Sequence, residues 1–126
     1  MAKLEDKAIQ LVIKYEKKQG RKPERIKKCY DVKSGNRYIE VKGSRSGKSP
    51  SFILVYPSFL WTLGKNIGRY YIYFVYNIKK NKNPKLLIIP PDIIFKSLRL
   101  STKILLPRKA IGRIKEITLP KIRVAL

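Results

Sequence analysis

The stretch Tyr30–Gly43, YDVKSGNRYIEVKG, decides the fold of this chain. Two short runs rich in aromatic and β-branched residues flank Gly35-Asn36, a pattern typical of a β-hairpin with a two-residue primed turn. Because side chains alternate across a strand, the turn also fixes which residues share a face of the hairpin. The predicted register has three pairs: Ser34 with Arg37, Val32 with Ile39, and Asp31 with Glu40.

The two faces of this hairpin differ in chemistry. The apolar face, which we expect to be buried, consists of Tyr30, Val32, Ile39 and Val41. The other face carries Asp31, Glu40 and Lys42. Two carboxylates directly across a strand pair repel each other, and a divalent cation between them would turn that repulsion into ligation. A metal-activated water beside a lysine is suited to phosphodiester hydrolysis.

Asp31 followed by Glu40-Val41-Lys42 resembles the PD-(D/E)xK nuclease signature, in which an acid ends one strand and Glu-x-Lys lies on the next. Within that superfamily the chain is most similar to the NO VEIN C-terminal-type domain. The pattern of that group continues with a Phe-containing strand, a helix with a Trp and a Tyr-rich strand. The matching residues follow in the same order within about residues 5–90: Phe52-Ile53-Leu54, Trp61 and Tyr70–Asn77.

The resemblance implies both a fold and a site. The fold is an α/β restriction-endonuclease-like core, a central mixed β-sheet flanked by helices in the order helix, three-strand meander, helix, strand. Asp31 and Glu40 would ligate Mg²⁺ or Mn²⁺ with help from the Val41 carbonyl, and Lys42 would position or activate the attacking water. Magnesium suits these side chains because they offer only oxygen ligands.

The first helix departs from the family's pattern. The family's helix acid falls near Ile9, and its Glu before the Trp corresponds to Leu60. The resemblance then implies Glu5 or Glu16 as a further ligand or water contact, and an antiparallel helix-then-strand arrangement favours Glu5. Taken singly, either glutamate is better explained as a solvated partner of lysines one helical turn away.

Composition indicates a polyanionic partner. The 126 residues include 30 Lys and Arg against 8 Asp and Glu, a net charge of +22. Such an excess favours nucleic acid, and the resemblance to nucleases makes DNA the favoured substrate. The length predicts a single domain over residues 1–126, with a core of about 4–90 and a basic extension of about 91–126. Candidate nucleic-acid contacts near the motif are Lys33, Arg37, Tyr38, Arg45 and Lys48.

Several classes of protein are excluded or disfavoured. The chain has no histidine, which rules out His-dependent triads and zinc deaminases, and its lone Cys29 permits no internal disulfide. No apolar run approaches the ~18 residues that span a bilayer, and the N-terminus lacks the apolar core of a signal peptide. We therefore expect a cytoplasmic protein without a membrane partner.

Periodicity and turn residues predict the remaining elements. A helix over 4–19 ends at Gly20, and the densest aromatic and β-branched run predicts a central strand over 70–78. The other predicted strands cover 26–33, 37–43, 51–56, 86–89 and 104–106, and the other helices 57–63 and 92–96. Residues 21–25 are predicted to be a basic connector.

These features favour a metal-dependent endo- or exonuclease. One alternative is a non-catalytic nucleic-acid-binding protein on a degenerate nuclease fold, which the absent helix acid and the high charge support. Another is a structural RNA- or ribosome-associated protein in which Asp31 and Glu40 pair with Lys33 and Lys42. Relatives that cleave junctions or restriction sites act as dimers, so a homodimer is an expectation by analogy alone.

Overall fold

The computed structural model describes residues 2–27, 30–54, 68–97, 103–105 and 114–123. Cys29 and the predicted helix 57–63, with Leu60 and Trp61, lie outside the described residues. Within these ranges no helix is both long and apolar enough to cross a bilayer. The described elements are α1 (Ala2–Lys18), β1 (Pro23–Arg25), β2 (Val32–Ser34), β3 (Arg37–Gly43), β4 (Phe52–Leu54), β5 (Tyr70–Tyr76), β6 (Lys85–Ile89), α2 (Pro91–Ser97), β7 (Lys103–Leu105) and β8 (Lys115–Thr118).

The chain is an α/β protein built on a mixed six-stranded sheet in the order β1-β2-β3-β5-β6-β8. β3 and β5 are parallel, and the other neighbours are antiparallel. The predicted three-strand meander is wrong, because β4 pairs with β7 in a separate two-stranded sheet. The place beside β3 is taken by β5, whose apolar residues on both faces suit the middle of a sheet. β7 and β8 come from the predicted basic extension, and each pairs with a strand of the core.

Two of the three predicted hairpin pairs are confirmed, whereas Asp31 precedes β2 and its N–H donates to the Ile39 carbonyl at 2.9 Å instead of pairing with Glu40. Val32 pairs with Ile39 and Ser34 with Arg37, and Gly35 adopts a φ of 57°, which a primed turn requires at its first position. The first strand of the hairpin is shorter than predicted, because the prediction covers 26–33 and β2 begins only at Val32. Pro23–Arg25, in the predicted connector, instead forms the edge strand β1. The Ile26 N–H donates to the Asp31 carbonyl at 2.8 Å, which closes the loop between β1 and β2.

Helix α1 covers one face of the six-stranded sheet. Its last turn ends in a Schellman motif, with Gly20 at a φ of 82° and backbone bonds from Gly20 to Lys17 and from Arg21 to Glu16. The helix and the sheet share a core that includes Ala8, Val12, Val32, Ile39 and Val41. Residues of α2 and β4 pack on the opposite face in a second core that includes Ile53, Ile72, Ile89, Ile93 and Ile94.

Tyr30 does not lie on the face that the alternation predicts. Its ring centroid is 5.0 Å from that of Tyr38 and 6.2 Å from that of Tyr70, so Tyr30 packs with the core opposite α1. The chain bends at Tyr30 and Asp31 before β2 begins at Val32. Strict alternation applies only within a strand, and it therefore fails at Tyr30.

We expect Gly43→Ala to lower the free energy of unfolding by about 1–3 kcal/mol, because added volume strains a packed core. A Cβ at position 43 would lie 2.9 Å from the Cβ of the buried Ala8 and 3.6 Å from the Leu4 carbonyl oxygen. Denaturant titration measures the loss, and Ala8→Gly in the same chain should recover part of it. Gly47→Ala is the control, since its Cβ would meet nothing nearer than 3.5 Å. Equal stability of the two alanine variants would contradict the close contact.

Candidate functional site

The structure brings Asp31, Glu40 and Lys42 together on the sheet face opposite α1. Asp31 lies at the bend before β2, and its Oδ2 accepts a hydrogen bond from the Val41 N–H at 2.8 Å. Glu40 lies in the middle of β3 next to Asp31, and its Oε2 is 3.3 Å from the Lys42 Nζ. A backbone amide of β3 thus holds one carboxylate, and the alternation of the same strand places Glu40 and Lys42 on one side.

Burial and like charge act together on Glu40. Its side chain is 13% exposed. Desolvation, and then the negative charge of Asp31, raise the pKa of Glu40 to about 8, and the Lys42 ammonium opposes the rise without cancelling it. The two carboxylates therefore favour a bound positive charge between them, which a proton or a metal cation can supply.

We expect the protein without metal to lose stability as the pH rises. The pKa of Glu40 is higher in the folded chain than its ordinary value of 4.5. The folded state therefore binds more protons than the unfolded state between about pH 4.5 and pH 8, and the stability lost across that window should lower the melting temperature by several degrees. Melting curves in EDTA at pH 5, 6, 7 and 8 measure the slope.

Glu40→Gln is the control for this prediction. It removes the titration and keeps the shape, so its melting temperature should change less over the same window. Mg²⁺ at pH 8 should raise the melting temperature of the wild type through ligand linkage and leave Glu40→Gln nearly unchanged. Identical pH slopes in the two proteins would contradict the assignment of the proton to Glu40.

The structure does not bring Glu5 or Glu16 into one group with this pair. In the described part of the chain there is no cluster of three acidic or thiol side chains that could hold a metal ion. Glu5 is exposed in the first turn of α1. Glu16 lies in the last turns of the same helix, and its carboxylate is fully engaged elsewhere.

Glu16 is the centre of a buried network under α1 that sequence reasoning missed. Its side chain is 0% exposed, and Arg21 donates to its two oxygens at 2.5 and 2.7 Å. The Tyr73 hydroxyl also donates to Glu16 at 2.8 Å and accepts from Arg37 at 2.7 Å. Burial opposes ionisation, but these hydrogen bonds outweigh it and hold the pKa of Glu16 below its ordinary value. The sequence offered one signal for this network: Glu16 lies one helical turn after Val12, on the side of α1 that carries apolar residues.

The predicted nucleic-acid contacts lie in three places: under α1, on the face that carries Glu40, and in the loop that follows β3. Arg37 stacks on the Tyr71 ring at 4.3 Å and also serves Tyr73, so its guanidinium belongs to the network under α1. Lys33 is exposed, and its Nζ is 5.9 Å from the centroid of the Tyr38 ring on the face that carries Glu40. The other two contacts, Arg45 and Lys48, are exposed in the loop that follows β3.

The fold and the site together define an α/β protein whose mixed sheet carries a pair of carboxylates with a lysine beside them. Comparison with protein-family models matches residues 4–89 to the family described as Protein NO VEIN, C-terminal. The match covers more than half of the chain, and the protein belongs to this family. No curated protein and no solved structure matches the chain significantly.

Proposed function

We propose that this protein is a metal-dependent nuclease of the PD-(D/E)xK type that hydrolyses phosphodiester bonds, with DNA as the favoured substrate. One observation carries the proposal. The mostly buried Glu40 lies against Asp31 and 3.3 Å from Lys42 in a chain with a net charge of +22. Two adjacent carboxylates are costly in a stable sheet unless a proton or a metal cation lies between them, and a metal cation is the one that supports hydrolysis.

The residues present fit a divalent cation with oxygen ligands. Asp31 and Glu40 would hold Mg²⁺ or Mn²⁺ with the Val41 carbonyl. A set of two carboxylates suits Mg²⁺ because this ion usually keeps several of its waters and takes few ligands from the protein. When bound, the ion would make a water more acidic and offset the negative charge that develops on the phosphate.

The chain's own side chains supply the rest of the chemistry. The Lys42 ammonium lies at the edge of the carboxylate pair, where it can orient a water molecule and stabilise developing charge. The exposed Arg45 and Lys48 follow directly on β3. Their positive charge would hold phosphates flanking the scissile bond.

A binding protein without turnover is the second candidate, and a specific observation favours it. Among the described residues no third carboxylate joins Asp31 and Glu40, and Lys42 already forms an ion pair with Glu40. The same basic surface would then bind nucleic acid electrostatically, with an affinity that falls steeply as salt rises.

A cleavage panel tests the proposal. End-labelled single-stranded, duplex and junction DNA, together with RNA, would be incubated with the protein in Mg²⁺, in Mn²⁺ and in EDTA. We expect metal-dependent products from at least one substrate. Retention of the substrates in a mobility-shift assay without cleavage under any metal condition would favour the binding protein.

A further inference from the structure

A groove of about 560 Å³ separates α1 from β8 and the chain that follows it. α1 packs on β1, β2 and β3. A helix is about 10–12 Å wide, whereas six strands at ~4.8 Å spacing place the outermost two about 24 Å apart. In the part of the chain that the structure describes, one helix therefore leaves the β6 and β8 side of this face uncovered, and the groove lies there.

The floor of the groove is apolar. The edge of the core under α1 forms it, and Tyr15, Leu119 and Ile122 are nearly buried there, whereas Leu11 and Ile117 are partly exposed. The Leu119 N–H donates to the Pro84 carbonyl, and the Ile122 N–H to that of Lys82. These backbone bonds fix the wall opposite α1, so the groove is part of the folded scaffold.

The charged residues on the rim of the groove are all basic. Of the described residues that line it, none carries a carboxylate. Three of the cations, Lys7, Lys14 and Lys18, follow one side of α1 over about 16 Å, at 1.5 Å per residue. The other two, Lys121 and Arg123, are exposed on the opposite wall.

We infer that this groove binds an acidic amphipathic helix of a partner protein. Such a helix would place its apolar i, i+3, i+4 and i+7 side chains on the floor and its glutamates or aspartates along the rim, as in helix-in-groove recognition. The groove volume accommodates a few such apolar side chains, and 16 Å of rim matches about three turns of helix.

The floor and the charge disfavour two other occupants. Single-stranded nucleic acid would neutralise the rim, but it needs aromatic faces for its bases. Tyr15 is the one aromatic residue among the described residues of the lining, and it is only 9% exposed. A second copy of this chain would bring a net charge of +22 to a basic rim, which repels it.

The groove is independent of the proposed nuclease site, since it lies on the other face of the sheet. Its test uses a fluorescein-labelled 18-residue peptide of leucine and glutamate with the leucines on one helical face. A scrambled peptide of identical composition is the ligand control. Fluorescence anisotropy at physiological salt would be measured with wild type, with Lys14→Glu/Lys18→Glu, and with Lys22→Glu/Lys27→Glu. All four lysines are exposed, and both double variants change the net charge equally.

We expect the patterned peptide to bind wild type more tightly than the scrambled one. Lys14→Glu/Lys18→Glu should weaken it about tenfold or more, since juxtaposed like charges are costly in an interface, and Lys22→Glu/Lys27→Glu should weaken it far less. Melting curves verify that both variants are folded. Equal binding of the two peptides, or equal losses in the two variants, would overturn the inference. A single-stranded oligonucleotide that distinguishes the variants where the peptide does not would also overturn it and assign the groove to nucleic acid.

Discussion

Glu40→Ala is expected to lower phosphodiester cleavage at least 100-fold, a loss of about 2.7 kcal/mol in transition-state stabilisation, while the affinity for nucleic acid changes less than about threefold. The two effects differ because binding arises from many distributed phosphate contacts, whereas chemistry needs one ordered cation and one positioned water. Removing Glu40 also removes a negative charge near the phosphates, so binding can tighten. Single-turnover cleavage and a mobility-shift titration on the same substrate measure the two quantities.

Lys42→Ala is the companion variant. It deletes one of 30 basic residues, a small change in total charge, but it removes the ammonium 3.3 Å from Glu40. We expect a similar loss of cleavage and little loss of binding. Lys33→Ala is the matched control, since Lys33 is an exposed lysine on the adjacent strand and on the same face. Full cleavage by Glu40→Ala would remove the carboxylate pair from the mechanism, and equal cleavage by the two lysine variants would remove Lys42 from it.

Glu16→Ala is expected to lower the free energy of unfolding by about 3 kcal/mol or more, because breaking a buried ion pair leaves its partners uncompensated. Arg21 would lose both of its short hydrogen bonds to the carboxylate, and Tyr73 its acceptor. The melting temperature should fall by roughly 10 °C, at a few degrees per kcal/mol for a chain of this size. Circular dichroism melting and urea titration measure both values.

The chain offers a matched control in a second ion pair. Asp6 and Arg25 also connect α1 to the sheet, at 2.6 Å, but their side chains are 45% and 40% exposed. Asp6→Ala should therefore cost less than about 1 kcal/mol, as exposed pairs do. The pKa of Glu16 is lower in the folded chain than its ordinary value of 4.5. Its contribution to the free energy of unfolding is therefore fully present above pH 4.5 and is lost as the pH falls through the pKa of the folded state. If Glu16→Ala lowers the free energy of unfolding no more than Asp6→Ala does, the network of Glu16, Arg21 and Tyr73 contributes little to stability.

Local signals predicted local structure well. The turn at Gly35 fixed the register of β2 with β3, and the apolar period together with Gly20 placed α1 to within two residues. Partners distant in the sequence were not predictable in this way. β4 is a three-residue strand, and nothing in its own residues specifies pairing with β7 rather than β3. β1, with the sequence Pro-Glu-Arg, has no apolar alternation, so its identity as a strand depends on the edge that β2 provides.

The sequence predicted those parts of the site that follow from the alternation of side chains along a strand. It did not predict those that follow from the packing of α1 against the sheet. Glu40 and Lys42 share a face because they are two residues apart on one strand, and the structure places them so. The role of Glu16 required knowing that Tyr73, 57 residues later, lies beneath α1. Arg37, which is predicted to contact phosphates, donates to the hydroxyl of the same tyrosine. Charge alone does not distinguish a solvated arginine from one held by a buried hydroxyl.

The parallel pairing of β3 with β5 has a consequence during synthesis on the ribosome. Tyr38 pairs with Tyr70, 32 residues later, so this edge of β3 has no partner strand until β5 has been synthesised. At typical translation rates of 5–20 residues per second, that interval is about 2–6 s. An unpaired edge strand attracts the strands of neighbouring chains, and charged side chains discourage such pairing. Glu40 and Lys42 are charges on that temporary edge, so the residues that we propose for chemistry in the finished protein would also discourage aggregation of the growing chain.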